Sequence, residues 1–116
     1  MQKIKLTIND RTFTATLENN ETARQFEQQL PTTLEMSELN GNEKYYYMNS
    51  SLPTDEQAVG SIQTGDIMLY GDKCVVLFYE DFSTSYSYTR IGAVDNPSGL
   101  AEALGNGDAT VTLELA

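Results

Sequence analysis

Residues 65–92 alternate short apolar stretches with turn residues, and this spacing constrains the fold more than any other feature of the chain. Two strand-like stretches, residues 66–70 and 74–79, flank the tight turn Gly71-Asp72-Lys73. The second stretch is apolar throughout, which is typical of a central strand covered on both faces. The pattern therefore predicts short strands linked by hairpins.

The rest of the chain carries the same signature. Alternation of apolar and polar residues predicts further strands at residues 3–8, 12–17, 33–37, 44–48, 86–94 and 110–115. Asn40-Gly41 is the strongest hairpin signal, because a type I′ turn needs positive φ at both central residues. Residues 50–60 and 80–85 have the composition of connecting loops.

Two segments have helical patterns. Ala23, Phe26 and Leu30 recur at helical spacing after an Asn19-Asn20 cap, and Pro31 ends the pattern. Asp95-Asn96-Pro97 predicts the start of a second helix, with a capping side chain before a proline at the first helical position, and Gly105 ends it. Each helix is short.

These elements predict a mainly β fold of about eight strands and two short helices. The length of 116 residues and the absence of repeats or linkers predict one domain over residues 1–116. Many short, hairpin-linked strands indicate a closed barrel or a sandwich. A barrel is favoured because closure removes exposed strand edges, and the two helices can cap its open ends.

Charge and composition argue against several partner classes. Seventeen acidic residues against seven basic ones give a net charge of −10, which disfavours nucleic acid and anionic membrane surfaces as partners. No apolar run approaches the roughly 20 residues of a membrane span, and the first residues form a strand pattern without a signal-peptide core. We expect a soluble, cytoplasmic protein, although a leader removed earlier would be invisible.

The residue inventory also excludes several chemistries. The chain has no histidine, so neither a Ser-His-Asp nor a Cys-His catalytic system can form within it, and zinc sites of Cys and His are excluded. The acidic pairs Asp55-Glu56 and Glu80-Asp81 lack the spacing of a calcium loop. We therefore predict no metal and no cofactor. The lone Cys74 excludes an internal disulfide and is predicted to be a small buried thiol.

Several segments, taken in order, resemble the bacterial cyclophilin-like domain family. They are Gly65-Asp66, Phe78-Tyr79 and residues 85–92, together with residues 39–48 and 95–100. The resemblance implies an eight-stranded barrel with a helix at each end, in agreement with the element count. Members are mostly of unassigned activity, and some resemble a module attached to flavodoxin-like domains.

The resemblance does not extend to catalysis. True prolyl isomerases of the cyclophilin type use an arginine in an apolar pocket lined in part by tryptophan and histidine. This chain has no tryptophan and no histidine. Arg90, in the sequence Tyr-Thr-Arg-Ile, does not match their arginine motif. We therefore predict no catalytic residue.

The seven tyrosines are the remaining functional signal. Any single tyrosine is most simply explained as a strand residue with its ring in the core and its hydroxyl at the rim. Alternation nevertheless places Tyr45 and Tyr47 on one face and Tyr46 on the other, so one face meets solvent or a partner. We predict a groove in which tyrosines provide contact area and an arginine binds a carbonyl or carboxylate. The candidate ligand-binding residues are Arg90, Tyr86, Tyr88, Tyr45 and Tyr47.

The leading hypothesis is a non-catalytic binding module that holds a peptide segment or a small ligand in this groove. One alternative is a weak peptidyl-prolyl isomerase that uses Arg90 to polarise the proline carbonyl. Another is a docking domain for a protein partner, such as a redox protein of the flavodoxin type.

Overall fold

The computed structural model describes residues 2–116, which form eleven strands and two helices. The strands are β1 (Lys3–Ile8), β2 (Arg11–Leu17), β3 (Thr32–Leu39), β4 (Glu43–Tyr47), β5 (Gln57–Ala58), β6 (Ser61–Ile62), β7 (Asp66–Tyr70), β8 (Cys74–Phe78), β9 (Phe82–Ser83), β10 (Ser87–Val94) and β11 (Ala109–Leu115). The helices are α1 (Glu21–Glu27) and α2 (Leu100–Leu104).

Eight of the strands close into an antiparallel barrel. Their order is β2-β1-β11-β3-β4-β8-β7-β10, and β10 returns to pair with β2. The two-residue strand β5 adds to the beginning of β10, where Ser87 pairs with Ala58. The predicted closed eight-stranded barrel with two short helices is confirmed.

Strand alternation fills the barrel interior with apolar side chains. Every second residue of β1 (Ile4, Leu6 and Ile8) is at most 1% exposed and belongs to one large cluster. Both helices add their apolar side to this cluster, α1 through Phe26 and α2 through Leu100. The helices therefore complete the same core that the strands enclose.

The two helix starts differ in how well the sequence predicts them. The Asn20 side chain caps α1 as expected, accepting a hydrogen bond of 2.8 Å from the Ala23 N–H. The predicted start of α2 at Asp95-Asn96-Pro97 is wrong, because α2 begins at Leu100 after Gly99, whose φ is +83°. No helix within residues 2–116 has the length and apolar character needed to cross a membrane.

Tertiary contacts explain why α2 starts late. The Asp95 carboxylate accepts hydrogen bonds from Lys3 Nζ at 2.8 Å and Thr16 Oγ1 at 2.6 Å, so it ties β10 to β1 and β2 instead of capping a helix. The Asn96 side chain accepts a bond from the Ser98 N–H within a turn. Both capping side chains are thus used before the helix begins.

A second, smaller apolar cluster lies outside the barrel. We call it the outer cluster, and its buried members are Ile62, Met68, Cys74, Val76, Phe78 and Tyr88.

The segments 50–60 and 80–85, expected to be loops, contain β5 and β9, and β9 pairs with β6. A strand of two residues is too short to show a recognisable alternation of apolar and polar residues.

The outer cluster accounts for the apolar character of β8. Its residues Val75 and Leu77 point into the barrel, while Cys74, Val76 and Phe78 belong to the outer cluster. All five residues of β8 are buried. The prediction that this strand is covered on both faces is confirmed.

Barrel closure depends on Gly92 in β10. The pairing of β10 with β7 shifts by a β-bulge between Arg90 and Gly92, and Gly92 then pairs with Leu17 of β2. A Cβ added at Gly92 would lie 2.5 Å from the Thr16 carbonyl oxygen and 3.1 Å from the Leu17 Cα. Only glycine lets the two backbones approach this closely.

A buried lysine joins β4 to the loop after α2. Lys44 is fully buried, and its Nζ donates to Glu38 Oε1 at 2.8 Å and to the carbonyl oxygens of Gly105 at 2.8 Å and Gly107 at 2.5 Å. These bonds use all three protons of the ammonium group. A buried charge is tolerated here because it is both paired and fully hydrogen-bonded.

The carboxylate of this pair is equally well bonded. Burial of Glu38 acts to raise its pKa, but hydrogen bonds from Lys44, Tyr79 and the Gly41 N–H lower the pKa overall. The Tyr79 hydroxyl donates at 2.6 Å, and burial with this bond raises the pKa of Tyr79 to about 12. The ion pair is therefore part of the folded structure.

Replacing Gly92 by Ala is expected to lower the unfolding free energy by about 3 kcal/mol, because the new methyl group meets backbone atoms that cannot move independently of the barrel. Urea unfolding followed by circular dichroism measures this. Gly107→Ala is the matched control, since nothing lies within 4 Å of a Cβ at Gly107, and it should change stability by less than about 0.5 kcal/mol. Equal stability of the two variants would contradict the role of Gly92.

Glu38→Gln should cost about 3 kcal/mol at pH 7, because it leaves the Lys44 ammonium buried without its counter-ion. Since folding lowers the pKa of Glu38 from 4.5, its stabilisation is present above the unfolded pKa and is lost as the pH falls through the lowered value. The difference in stability between wild type and variant should therefore shrink below about pH 4.

Chemical denaturation across pH 3–7 tests the Glu38 prediction. Glu114→Gln removes a more exposed lysine–glutamate pair, Lys5 with Glu114 at 3.4 Å, and should cost less than about 1 kcal/mol. A Glu38→Gln cost that is as small as this control, or that does not change with pH, would contradict the assignment.

Candidate functional site

A cleft of about 310 Å³ opens on the outer surface of the barrel, where β4, β8, β7 and β10 lie side by side. We call it the tyrosine cleft. Its lining consists of five tyrosines and five other residues: Leu39, Asn40, Glu43, Tyr45, Tyr47, Tyr70, Cys74, Val76, Tyr86 and Tyr88.

Strand register places the lining residues around a small floor. Tyr47 of β4 lies opposite Cys74 of β8, and Cys74 lies opposite Tyr70 of β7. Two residue pairs further along, Tyr45 lies opposite Val76. Because side chains two residues apart share a face, Cys74 and Val76 form the floor and the tyrosines stand on either side.

The tyrosine rings contact one another within each wall. On the β4 side the Tyr45 and Tyr47 ring centroids are 5.8 Å apart at an interplanar angle of 79°. On the other side Tyr70 lies 5.8 Å from Tyr86 and 5.6 Å from Tyr88. Edge-to-face contacts at these distances are favourable and hold the rings in place.

The tyrosine rings of the two walls differ in their exposure to solvent. Tyr88 is 4% exposed, whereas Tyr47, Tyr86 and Tyr70 are 65%, 60% and 47% exposed. Burial, followed by the negative charge of Glu43, raises the pKa of Tyr88 to about 12. The cleft therefore presents three accessible rings above one anchored ring.

Glu43 supplies a negative charge to the cleft lining. It is half-buried, and burial together with the negative charge of Glu38 raises its pKa. Within residues 2–116, no lysine or arginine nitrogen lies within 4 Å of the Glu43 carboxylate. The carboxylate has a counter-ion neither in the lining nor beside it.

Cys74 is a buried thiol, as predicted from its sequence context. Burial raises the pKa of Cys74 to about 11, and the negative charge of Glu43 adds to the effect. The thiol is therefore protonated at neutral pH and is a poor nucleophile.

The structure places four of the five predicted site residues around the tyrosine cleft: Tyr45, Tyr47, Tyr86 and Tyr88. The faces predicted for the tyrosines of β4 are also observed, since Tyr46 packs against the barrel interior. These side chains come together because β4 and β10 flank β8 and β7 in the sheet.

Arg90 does not line this cleft. It is exposed at a second cleft of about 190 Å³ that includes Glu18, Asp55 and Gln57 and that shares Tyr88 with the tyrosine cleft. Arg90 follows Tyr88 by two residues, roughly 6.6 Å along β10, and this spacing separates its side chain from the tyrosine cleft. An arginine and the exposed tyrosines therefore do not form one groove.

Sequence reasoning missed four important lining residues, Glu43, Tyr70, Cys74 and Val76. Glu43 could have been found, because it shares the alternation of Tyr45 and Tyr47. The β7–β8 hairpin that carries Tyr70, Cys74 and Val76 follows from its turn, but these residues join the site only through the pairing of β8 with β4, which no local pattern specifies.

Comparison with known proteins gives two informative matches. The model of the cyclophilin-like family matches residues 6–114. The solution structure of a hypothetical protein from Archaeoglobus fulgidus has a TM-score of 0.65, covering 99% of this chain and 95% of that chain at 19% sequence identity. That structural likeness shows the fold alone. Comparison with the curated proteins gives no match.

The Cys74 thiol is expected to react with Ellman's reagent only slowly in the folded protein at pH 7.5, because it is buried and its pKa is raised to about 11. Urea at about 8 M unfolds a domain of this size, and one thiol per chain should then react rapidly. Cys74→Ser is the blank. Rapid reaction of the native protein would contradict the buried, protonated state.

Proposed function

The chain belongs to the cyclophilin-like family, and we propose that this member is a non-catalytic binding module that holds a peptide segment or a small ligand in the tyrosine cleft. The observation that carries the proposal is the convergence of five tyrosines from three parts of the chain on one cleft. Three of these rings are 47–65% exposed.

Exposed tyrosines suit a binding surface for energetic reasons. A tyrosine offers a large, rigid, amphipathic contact area at a low cost in side-chain entropy. Ring contacts of 5.6–5.8 Å already restrict these side chains before a ligand arrives. Preorganisation of this kind reduces the entropy that binding must overcome.

The size of the cleft sets the scale of the ligand. A volume of about 310 Å³ lies at the lower end of the range for small-molecule pockets. It would accommodate a small molecule or a few side chains of a peptide lying across the rim. The larger part of a longer peptide would contact the exposed rings of Tyr47 and Tyr86.

The chemistry of the lining supports binding without catalysis. The Cys74 thiol forms part of the floor, and burial together with the negative charge of Glu43 raises its pKa to about 11, which disfavours the thiolate that nucleophilic catalysis needs. A carboxylate and several phenols remain, which can accept or donate hydrogen bonds to a ligand. Binding is the function that these groups support best.

Two alternatives from the sequence stay hypotheses. A prolyl isomerase that uses Arg90 would work from the second cleft, and a docking domain for a flavodoxin-type partner would need a broad apolar surface. A protease-coupled assay with a proline peptide distinguishes the prolyl isomerase from the binding module. Isomerisation above background that is lost in Arg90→Ala would favour the isomerase.

The double variant Tyr47→Ala/Tyr86→Ala should weaken binding of a peptide selected from a displayed random library by at least about tenfold, equivalent to about 1.4 kcal/mol. Both rings are largely exposed, so unfolding free energy should change by less than about 1 kcal/mol. Fluorescence anisotropy with the labelled peptide measures the affinity.

Two controls accompany the peptide experiment. Arg90→Ala removes a side chain of the second cleft, and Leu115→Ala truncates a residue that is 52% exposed outside both clefts. Neither should change affinity by more than about twofold. If the tyrosine double variant bound the peptide as well as the controls do, the tyrosine cleft would not be the binding site.

A further inference from the structure

The ionisable groups of the tyrosine cleft are unbalanced in sign. Glu43 is an acid, while no lysine or arginine belongs to the lining. Raised pKa values keep the Cys74 thiol and the Tyr88 hydroxyl neutral at physiological pH, so neither group balances the charge of the Glu43 carboxylate. The chain as a whole carries a net charge of −10, which adds a long-range field of the same sign.

The rings add a second attraction for positive charge. The face of an aromatic ring carries partial negative charge and attracts ammonium groups within about 6 Å of its centroid. Within each wall the ring planes are strongly inclined to one another, at 79° in the β4 wall and at 61° and 55° in the other. Inclined rings on two sides of one cleft offer several ring faces to a compact cation, as aromatic cages do for quaternary ammonium groups.

The free protein also bears a cost that a cation would relieve. Glu43 is half-buried without a positive partner, and burial and Glu38 raise its pKa. A cation bound beside the carboxylate would favour its ionised form. Ligand binding and ionisation of Glu43 are therefore coupled in the same direction.

We propose that the tyrosine cleft selects a positively charged ligand group, an ammonium or quaternary ammonium, held by the tyrosine rings and by the Glu43 carboxylate. This inference rests on the proposed binding function and specifies the charge of its ligand. The Glu43 carboxylate would repel an anionic ligand. A neutral ligand would gain no electrostatic attraction from this carboxylate.

Choline chloride and its neutral analogue 3,3-dimethylbutan-1-ol are suitable probes, because they have similar shapes and differ in charge. Each is titrated into ¹⁵N-labelled protein at constant ionic strength, and amide shifts of cleft residues give the affinity. Choline should bind at least tenfold more tightly than the alcohol. The preference should fall at low pH, as Glu43 becomes protonated.

Glu43→Gln is the decisive variant, and it should reduce the preference for choline to less than about threefold. Glu102→Gln makes the same change in net charge at an exposed position outside the cleft and should keep the wild-type preference. Because folding raises the pKa of Glu43, its ionised form destabilises the protein as the pH rises above the unfolded value. Glu43→Gln should therefore be at least as stable as wild type at pH 7, so any loss of binding is not unfolding.

Three results would overturn the inference. Equal affinities for choline and the alcohol would leave a cleft that binds ligands without regard to charge, and the proposed binding module would stand. An unchanged preference in Glu43→Gln would remove the carboxylate from recognition. No shift with either probe would reject ammonium ligands, while the peptide experiment with Tyr47→Ala/Tyr86→Ala would decide separately whether the cleft binds anything.

Discussion

Closure of the barrel between β10 and β2 is the contact on which the rest of the structure depends. At Gly92 the two backbones approach so closely that a single methyl group would overlap the Thr16 carbonyl. Closure pairs the last open edges and leaves the interior to one continuous apolar core. On its other edge β10 pairs with β7, and this pairing brings Tyr88 beside Tyr70 in one wall of the tyrosine cleft.

The cleft exists because the outer cluster covers only part of the barrel surface. Around Phe78 the outer face of β8 is closed by the Phe82 and Tyr88 rings, at centroid distances of 5.7 and 5.6 Å. Toward Cys74 this cover ends, and exposed tyrosines of β4 and β7 take its place. The same strand therefore serves as core on one side and as the floor of a site on the other.

Two glutamates near one hairpin show how environment shifts the pKa of a carboxylate in opposite directions. Glu38 receives hydrogen bonds from Lys44, Tyr79 and the Gly41 N–H, so its pKa falls despite burial. No donor of this kind reaches Glu43 from the described residues 2–116, and its pKa rises because of burial and the charge of Glu38. The first carboxylate is bonded within the fold, whereas the second lies in the lining of the tyrosine cleft.

Local sequence patterns were enough to predict the eight barrel strands, the first helix and the faces of Tyr45, Tyr46 and Tyr47, because period-two alternation and side-chain capping are local properties. They did not determine the late start of α2, the strands β5, β6 and β9, or the burial of Lys44. Nor did they separate Arg90 from the exposed tyrosines or place Glu43 and Tyr70 in one cleft. These features depend on register between strands that are far apart in the chain, and only the closed barrel decides which residues meet across them.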